Sequence, residues 1–411
     1  MKFRPIILIV LTGLVAASCD RFYQPSQIQI QREDLFTLDI GAMEDQLALF
    51  NFDGTRGMRR TDLTMREGLM YISDGNGGKI LRFNSYGDLL FMIYNQETNP
   101  PPLSLPPLAE GTRLTRWAVQ HPLAEPGKIA VDSRNNIFVH DRLPYERRIF
   151  DTATSNAARS TASGALLDNV ILHFDSEGRF IDYLGREGVG GTPFPRVEGL
   201  FATLNDEIAV VTRVPDGWNI YWYDSAGKFI FVVQLDTDAI PVPPERENVF
   251  ASVDMISAGP NARKLYTKIE YYRNIYDDST NAILGIEPDS SVIWIMNAET
   301  GVWETFVDVP FFEETTVVQN RRIISRKPYS FVGVTKSEQV FLIFPMEGGY
   351  SLRIISLSGG GQQRRAFIEI DNGDMQFNAF DLSPDGILTG LLADDWQVKV
   401  VWWRTDRFSE I

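Results

Sequence analysis

A single cysteine, Cys19, stands in a chain of 411 residues, so no internal disulfide can form and the fold must rest on its core. A chain of this length can bury a large one. Histidine is nearly as scarce, with only His121, His140 and His173, and no zinc-ligand spacing can be built from them. There is no Gly-x-Ser-x-Gly nucleophile elbow and no phosphate-binding glycine loop; Gly188-Val189-Gly190-Gly191 and Gly359-Gly360-Gly361 read as turn connectors. Positive charge is also in deficit. A formal charge of −15 argues against nucleic acid and against electrostatic docking on anionic lipid headgroups, and is compatible with a basic protein partner or with plain solubility. No long stretch keeps the apolar spacing of a helix, and beyond the first residues none is apolar enough to cross a bilayer.

What is present begins with an address. Lys2 and Arg4 precede an apolar run, Ile6 to Val15, of roughly ten residues, the length of a signal core and too short for a span. Ala16, Ala17 and Ser18 lead into Cys19. This start resembles the lipobox of bacterial lipoproteins, in the relaxed spirochaete-type form, with Ala16 where a leucine is usual. The resemblance implies a signal peptide over 1–18, removed in the mature protein. It also implies a lipidated Cys19, export, and attachment to a bacterial membrane, periplasmic or surface-facing. Two or more acyl chains would hold it there, each buried methylene contributing about 0.8 kcal/mol. Lipidation takes Cys19 out of thiol catalysis. Residues 19–33 read as lipidated cysteine and flexible tether, because the segment is polar and non-periodic.

The body is rich in Val, Ile, Phe, Tyr and Trp in short runs bounded by Gly, Asp, Asn and Pro, an all-β composition. It also repeats. Ile72-Ser73-Asp74 leads through a turn to Arg82-Phe83-Asn84-Ser85-Tyr86-Gly87-Asp88-Leu89. Val139-His140-Asp141 leads, past a long insert, to His173-Phe174-Asp175-Ser176-Glu177-Gly178-Arg179-Phe180. A third copy ends in Trp222-Tyr223-Asp224-Ser225-Ala226-Gly227-Lys228-Phe229. These lines resemble the NHL repeat of six-bladed β-propellers, closely in the first three copies and faintly afterwards. A recurring strand–turn–strand unit points to a radial architecture. The expected fold is an all-β, six-bladed propeller of four-stranded blades over residues 34–411. Its blades lie at about 61–95, 127–184, 197–235, 250–309, 329–370 and 377–404. The last of these lacks a fourth strand, and Leu35 to Ile40 is a strand without a home. An N-terminal strand at 34–41 that completes the last blade closes the ring and hides sheet edges. A pair of generic β-sandwiches would leave both the spacing and the orphan strand unexplained.

In such blades the loops joining strands one to two and three to four share one face. The loops joining two to three, and blade to blade, share the other. All the long inserts fall in the second set: Gln96–Pro126, Leu143–Asp168, Arg273–Ser291 and Pro310–Lys327. Long loops held by a rigid scaffold are usual places for function, so this face is the expected ligand face, with Pro101, Leu105, Trp117, Tyr145, Tyr276 and Phe311 as its candidate contact residues. The proline-rich stretch Asn99–Leu108 reads either as a docking segment or as a strap across its own propeller. Thr152–Gly164, rich in Ser, Thr and Ala, reads as mobile. Asp277, Asp278 and Asp289 are weak candidates for a Ca²⁺ site, which needs several oxygen ligands, although the calcium-loop spacing is missing. Asp74, Asp141 and His140 are the weak catalytic candidates; in NHL-type repeats this aspartate usually caps the turn.

The inventory leans towards a non-enzymatic binding or scaffold module of the cell envelope. It would be tethered by lipid alone and free of any cofactor, and would meet an envelope protein, peptide or glycan. The competing expectation is a lactonase-like hydrolase or lyase acting on a small molecule at the central mouth, with Ca²⁺.

Overall fold

The short β-prone runs pair into six small sheets arranged as the blades of a six-bladed β-propeller, with strands in chain order in the first four blades and an added N-terminal strand at the outer edge of the last two. The computed structural model describes residues 28–50, 61–108, 114–151, 165–318, 321–358, 360–371, 373 and 376–409. The leader, Cys19 and the Thr152–Gly164 stretch lie outside these residues. Blade one begins with Asp62–Arg66, blade two with Ile129–Val131 and blade three with Arg196–Ala202. Blades four, five and six begin with Phe250–Ala258, Ser330–Val334 and Phe377–Leu382. These six strands are the innermost of their sheets, and each touches the next round the ring.

The ring closes with a strand from the opposite end of the chain. Arg32–Asp39 runs antiparallel to Gln397–Trp403 as the fourth strand of blade six, with Thr37 opposite Lys399 and Leu38 opposite Val398. A bulge between Asp34 and Phe36 resets the register, so that Phe36 and Leu38 both reach apolar neighbours. The tether read over 19–33 is structured from Ile28 onward. Ile28–Ile30 pairs in parallel with Ala366–Ile368 as a fifth strand on blade five, because its alternating isoleucines bury Ile30 against that blade. Trp117–Gln120 likewise adds a parallel fifth strand to blade one. A short C-terminal helix, Thr405–Ser409, follows the last strand and tucks Phe408 under blades five and six.

The cores lie between the blades. Leu38, Val398 and Val400 of blade six meet Leu63, Met70 and Ile72 of blade one. Ile80 and Phe91 of blade one meet Val139 and Leu172 of blade two. Similar clusters fill the remaining gaps. Each fully buried Leu, Ile or Phe contributes about 1.5–3 kcal/mol, so every blade depends on both neighbours.

One turn device recurs on the short-loop face. After the third strand, Asn84 accepts hydrogen bonds from the N–H groups of Tyr86 and Asp88 at 3.0 and 2.9 Å. Asp175 and Asp224 repeat this with Glu177 and Arg179, and with Ala226 and Lys228. Asn297 does similar work in blade four, where the repeat is faint in sequence. Side chains of this kind imitate a backbone turn. The glycine of the device is also a spacer. Gly87, at φ +85°, would place a Cβ 2.7 Å from Cβ of Phe36 in the closing strand, and Gly227, at φ +74°, would place one 2.6 Å from Leu184 of the preceding blade. Gly301, in the same turn of blade four at φ +68°, has nothing within 4 Å.

Gly87→Ala and Gly301→Ala therefore share the backbone strain and differ in the clash. Urea unfolding is expected to find Gly87→Ala less stable than Gly301→Ala by more than about 1 kcal/mol. Equal losses would mean that Gly87 spaces nothing.

Candidate functional site

The aspartates that end the second strands are turned into the protein. Asp74 is fully buried; its carboxylate accepts from the N–H of Ala48 at 2.8 Å and of Gly77 at 2.9 Å, with the equally buried Lys79 ammonium 3.9 Å away. Burial pushes its carboxyl up, against the pull of Lys79 and these N–H groups. Lys79 in turn donates to the carbonyl of Met43 at 2.6 Å. Asp141 accepts from the N–H groups of Ala124 and Glu125, the closer at 2.6 Å. In both blades, then, the aspartate grips the connector arriving from the blade before. Burial raises Asp141 to about 6. His140 is held by Asn169, 2.6 Å from its Nε2, and its backbone brackets Lys128 and Gly127. Thr212, at the same position in blade three, is buried on the carbonyl of Asn219, and Phe344 in blade five stacks on Phe312 at 4.2 Å. These equivalent strand-end positions do not converge on a common point of chemistry.

Of the expected ligand-face residues, Tyr145 and Tyr276 are exposed, Pro101 is exposed at the start of the proline stretch, and Phe311 is half-buried at the base of an insert. Leu105 and Trp117 are corrected. Leu105 is buried in the core between blades six and one, because its stretch is a strap: Ser104 N–H donates to Glu44 at 3.0 Å, and Ala118 N–H to the carbonyl of Pro106 at 2.9 Å. Trp117 stacks on Phe91 at 5.7 Å and donates its Nε1–H to the carbonyl of Glu177 at 2.7 Å. It belongs to the flank of blade one.

Two of the inserts expected as irregular loops are β-hairpins. Lys264–Tyr276 and Ile283–Asn297 are strands two and three of blade four, drawn out beyond the blade so that Tyr276 pairs with Ile283. Phe312–Val318 and Arg321–Lys327 form a separate hairpin between blades four and five. Their β-branched and aromatic residues favour strands. The hairpin geometry also separates the calcium candidates. Asp277 caps its turn by accepting from the N–H of Ser279 and Thr280 at 3.0 and 2.8 Å and from both their hydroxyls, and these bonds, that of the Ser279 hydroxyl foremost, hold its carboxyl down at about 2. Asp278 is exposed beside it. Asp289 lies at the hairpin base, about 18 Å along the strands, buried against Arg273 and the hydroxyl of Ser290. The three do not share a site.

Sequence reasoning passed over two polar groups. The innermost strands enclose a channel of about 180 Å³. In it, Asp62 pairs with Lys128 at 3.0 Å, and Asp381 of blade six accepts from Met65 N–H of blade one at 2.9 Å, across the seam that the N-terminal strand closes. Burial, with the nearby Asp62 carboxylate, pushes Asp381 up to about 7. The second group is in blade four. Asp254, the extra residue of a bulge, and the buried Glu270 both bind the Lys268 ammonium, and Ser291 donates to Glu270 at 3.1 Å. No repeat flags Lys268 or Glu270, since charged residues mid-strand carry no periodic signature. Asp381 could have been suspected from Phe380-Asp381-Leu382, an acid in an inner strand.

No family model and no curated relative matches the chain. Similar solved structures are propellers or carry them. One is a streptogramin B lyase, at 13% identity over 83% of this chain and 92% of that one, with a TM-score of 0.36. Another is the β-propeller domain of the trilobed protease from Pyrococcus furiosus, described as having an open velcro topology, at 12% identity over 85% and 95%, TM-score 0.38. A third is a polysaccharide lyase, an ulvan lyase with bound saccharide, at 11% over 90% and 95%, TM-score 0.38. Likeness of this degree carries no argument about chemistry here.

Asp74→Ala would strand the buried Lys79 and two buried N–H groups. A loss of about 3–5 kcal/mol in urea unfolding is expected, and a loss under about 1 kcal/mol would contradict the stapling role. Asp381 gives a pH signature. Its folded value lies above the ordinary 3.8, so the folded protein keeps a proton that the unfolded chain has lost, and this group's contribution falls as pH rises from about 4 to about 7. Thermal melts across that window are expected to decline less in Asp381→Asn, which keeps the acceptor for Met65. Parallel profiles would remove the raised carboxyl from the account.

Proposed function

We propose that this chain is a membrane-tethered propeller of the bacterial cell envelope that binds a protein partner through its long-loop face and is not itself an enzyme. The observation that carries the reading is the one-sided placement of exposed apolar side chains. Ile275, Tyr276, Ile283, Leu284 and Ile286 stand exposed on the blade-four hairpin, Val317, Ile323 and Ile324 on the next hairpin, and Tyr145 and Phe150 on the blade-two insert. The tight turns of the opposite face offer Tyr86, Leu204 and Val302. Two-stranded hairpins projecting into water are marginal by themselves. They expose both apolar surface and open strand edges, which a polypeptide can cover by pairing. A peptide or protein answers both features, whereas a glycan answers neither strand edge. With Cys19 lipidated, the nine residues from it to Ile28 would reach at most about 30 Å and would enter at the outer edge of blade five, leaving the hairpins unencumbered.

A hydrolase or lyase acting at the central channel is the second reading. What favours it is Asp381, half-buried beside Asp62 and Lys128 and raised into the range of a general acid.

The test is capture of partners from the native envelope, in mild detergent, by the processed lipoprotein and by Ile283→Lys/Leu284→Lys and Ile323→Lys/Ile324→Lys. A stoichiometric protein lost from the variants, whose melting is unchanged, is the expected result. A partner retained by both variants, or none with the wild type, would overturn the reading.

A further inference from the structure

Blade two carries a cleft of about 670 Å³ down its flank, within the size range of small-ligand sites. Its walls are mostly apolar: Leu143, Ile149, Val170, Leu172 and Phe180, with prolines at the rim. The roof is not slack. Arg148 donates to the carbonyl of Leu143 at 3.0 Å, and Leu143 N–H donates to the carbonyl of Asp168 at 2.7 Å, so the segment from Leu143 to Ile149 is pinned at its base.

The polar groups of the cleft divide into those already engaged and those that are not. Asp141 turns its oxygens to the N–H groups of Ala124 and Glu125. Arg142 is taken by Asp168 at 2.6 Å and Glu125 at 3.4 Å. Tyr183 donates to the carbonyl of Gly190 at 3.2 Å. Arg147 is different: it is exposed at the rim and has no carboxylate partner among the described residues. His121 is different too. Its ring stacks on Phe180 at 4.8 Å and meets the edge of Phe174 at 5.0 Å, yet neither ring nitrogen has a hydrogen-bond partner among the described residues. Burial pushes it down, so near neutral pH it offers one N–H and one lone pair without charge.

An apolar cleft with one unengaged guanidinium and one unengaged neutral imidazole has a definite complement. We propose that the flank of blade two binds a small apolar anion, its body against the Phe180–His121 wall and its charge on Arg147. The cleft shares the insert from Leu143 to Ile149 with the proposed docking face but none of the hairpins of blades four and five, so the anion site does not depend on a protein partner.

The experiment titrates the processed full-length chain with 2-naphthoate and with its neutral counterpart 2-naphthamide, by calorimetry. Naphthoate is expected to bind once per chain and about tenfold more tightly than the amide. Arg147→Glu, at an exposed position that leaves folding intact, is expected to abolish that preference, and Phe180→Ala to weaken both compounds. Equal affinities, a preference that survives Arg147→Glu, binding untouched by Phe180→Ala, or no saturable binding of either compound would each overturn the proposal.

Discussion

A propeller is a sheet protein that must finish where it started, and here that requirement falls on eight residues. Arg32–Asp39 supplies the outer strand of a blade whose other three strands lie at the far end of the chain. Without it the edge of Gln397–Trp403 would be an open template, and the core holding Leu38 against Leu63 and Met70 would lack one wall. Because each core lies between two blades, an opening at this seam exposes the facing sides of blades six and one together. Phe36 links this seam to the turn of blade one through Gly87, and Asp381 crosses it from inside to Met65. The outer rim, the short-loop face and the channel wall are thereby tied to the same joint.

That joint gives the molecule two unlike faces. On one, side chains of Asn84, Asp175, Asp224 and Asn297 close tight turns. On the other, the connectors are gripped at their bases by Asp74, Asp141 and Asp168, and are then free to vary in length. The long hairpin of blade four grows from strands already in register, so length can be added there without disturbing the ring. The apolar residues of this hairpin and of Phe312–Lys327 stay exposed among the described residues, which is what motivates the proposed partner. The acidic body makes that explanation more specific: the hairpin from Phe312 to Lys327 carries Arg321, Arg322, Arg326 and Lys327 against two glutamates, a locally basic element on an acidic protein.

Much of the architecture was legible before any coordinates. The repeat lines around Gly87, Gly178 and Gly227 marked blades one to three, and the orphan strand before blade one together with the short count at the C-terminus implied closure. These features are local, set by turn chemistry and strand period. What escaped was non-local. The burial of Ile30 on blade five and of Leu105 between blades six and one depends on what lies across a gap, which a single strand's pattern cannot report. The same holds for the sites. Asp74 and Asp141 attracted notice because they recur, and they recur because each fastens a connector. Asp381 owes its character to neighbours in blade one, and Lys268 to Asp254 on the adjacent strand of its own blade and to Glu270; neither setting is written in the residue's own strand pattern. Separation of Asp277 from Asp289 followed from the hairpin, which spacing alone did not distinguish from a loop.

The closing strand can be interrogated directly because the chain has no cysteine besides Cys19. In a Cys19→Ser background, cysteines at Thr37 and Lys399 would sit opposite one another, whereas cysteines at Thr37 and Val401 would be out of register. Mild oxidation is predicted to join the first pair in the native protein and raise its urea midpoint, as expected when a loop of more than three hundred residues is closed, a constraint worth about 6 kcal/mol in the chain-entropy model. The second pair is predicted to stay reduced. Failure of the in-register pair to join, or equal joining of both, would contradict a ring closed by the N-terminal strand, and with it the two-faced scaffold built on that closure.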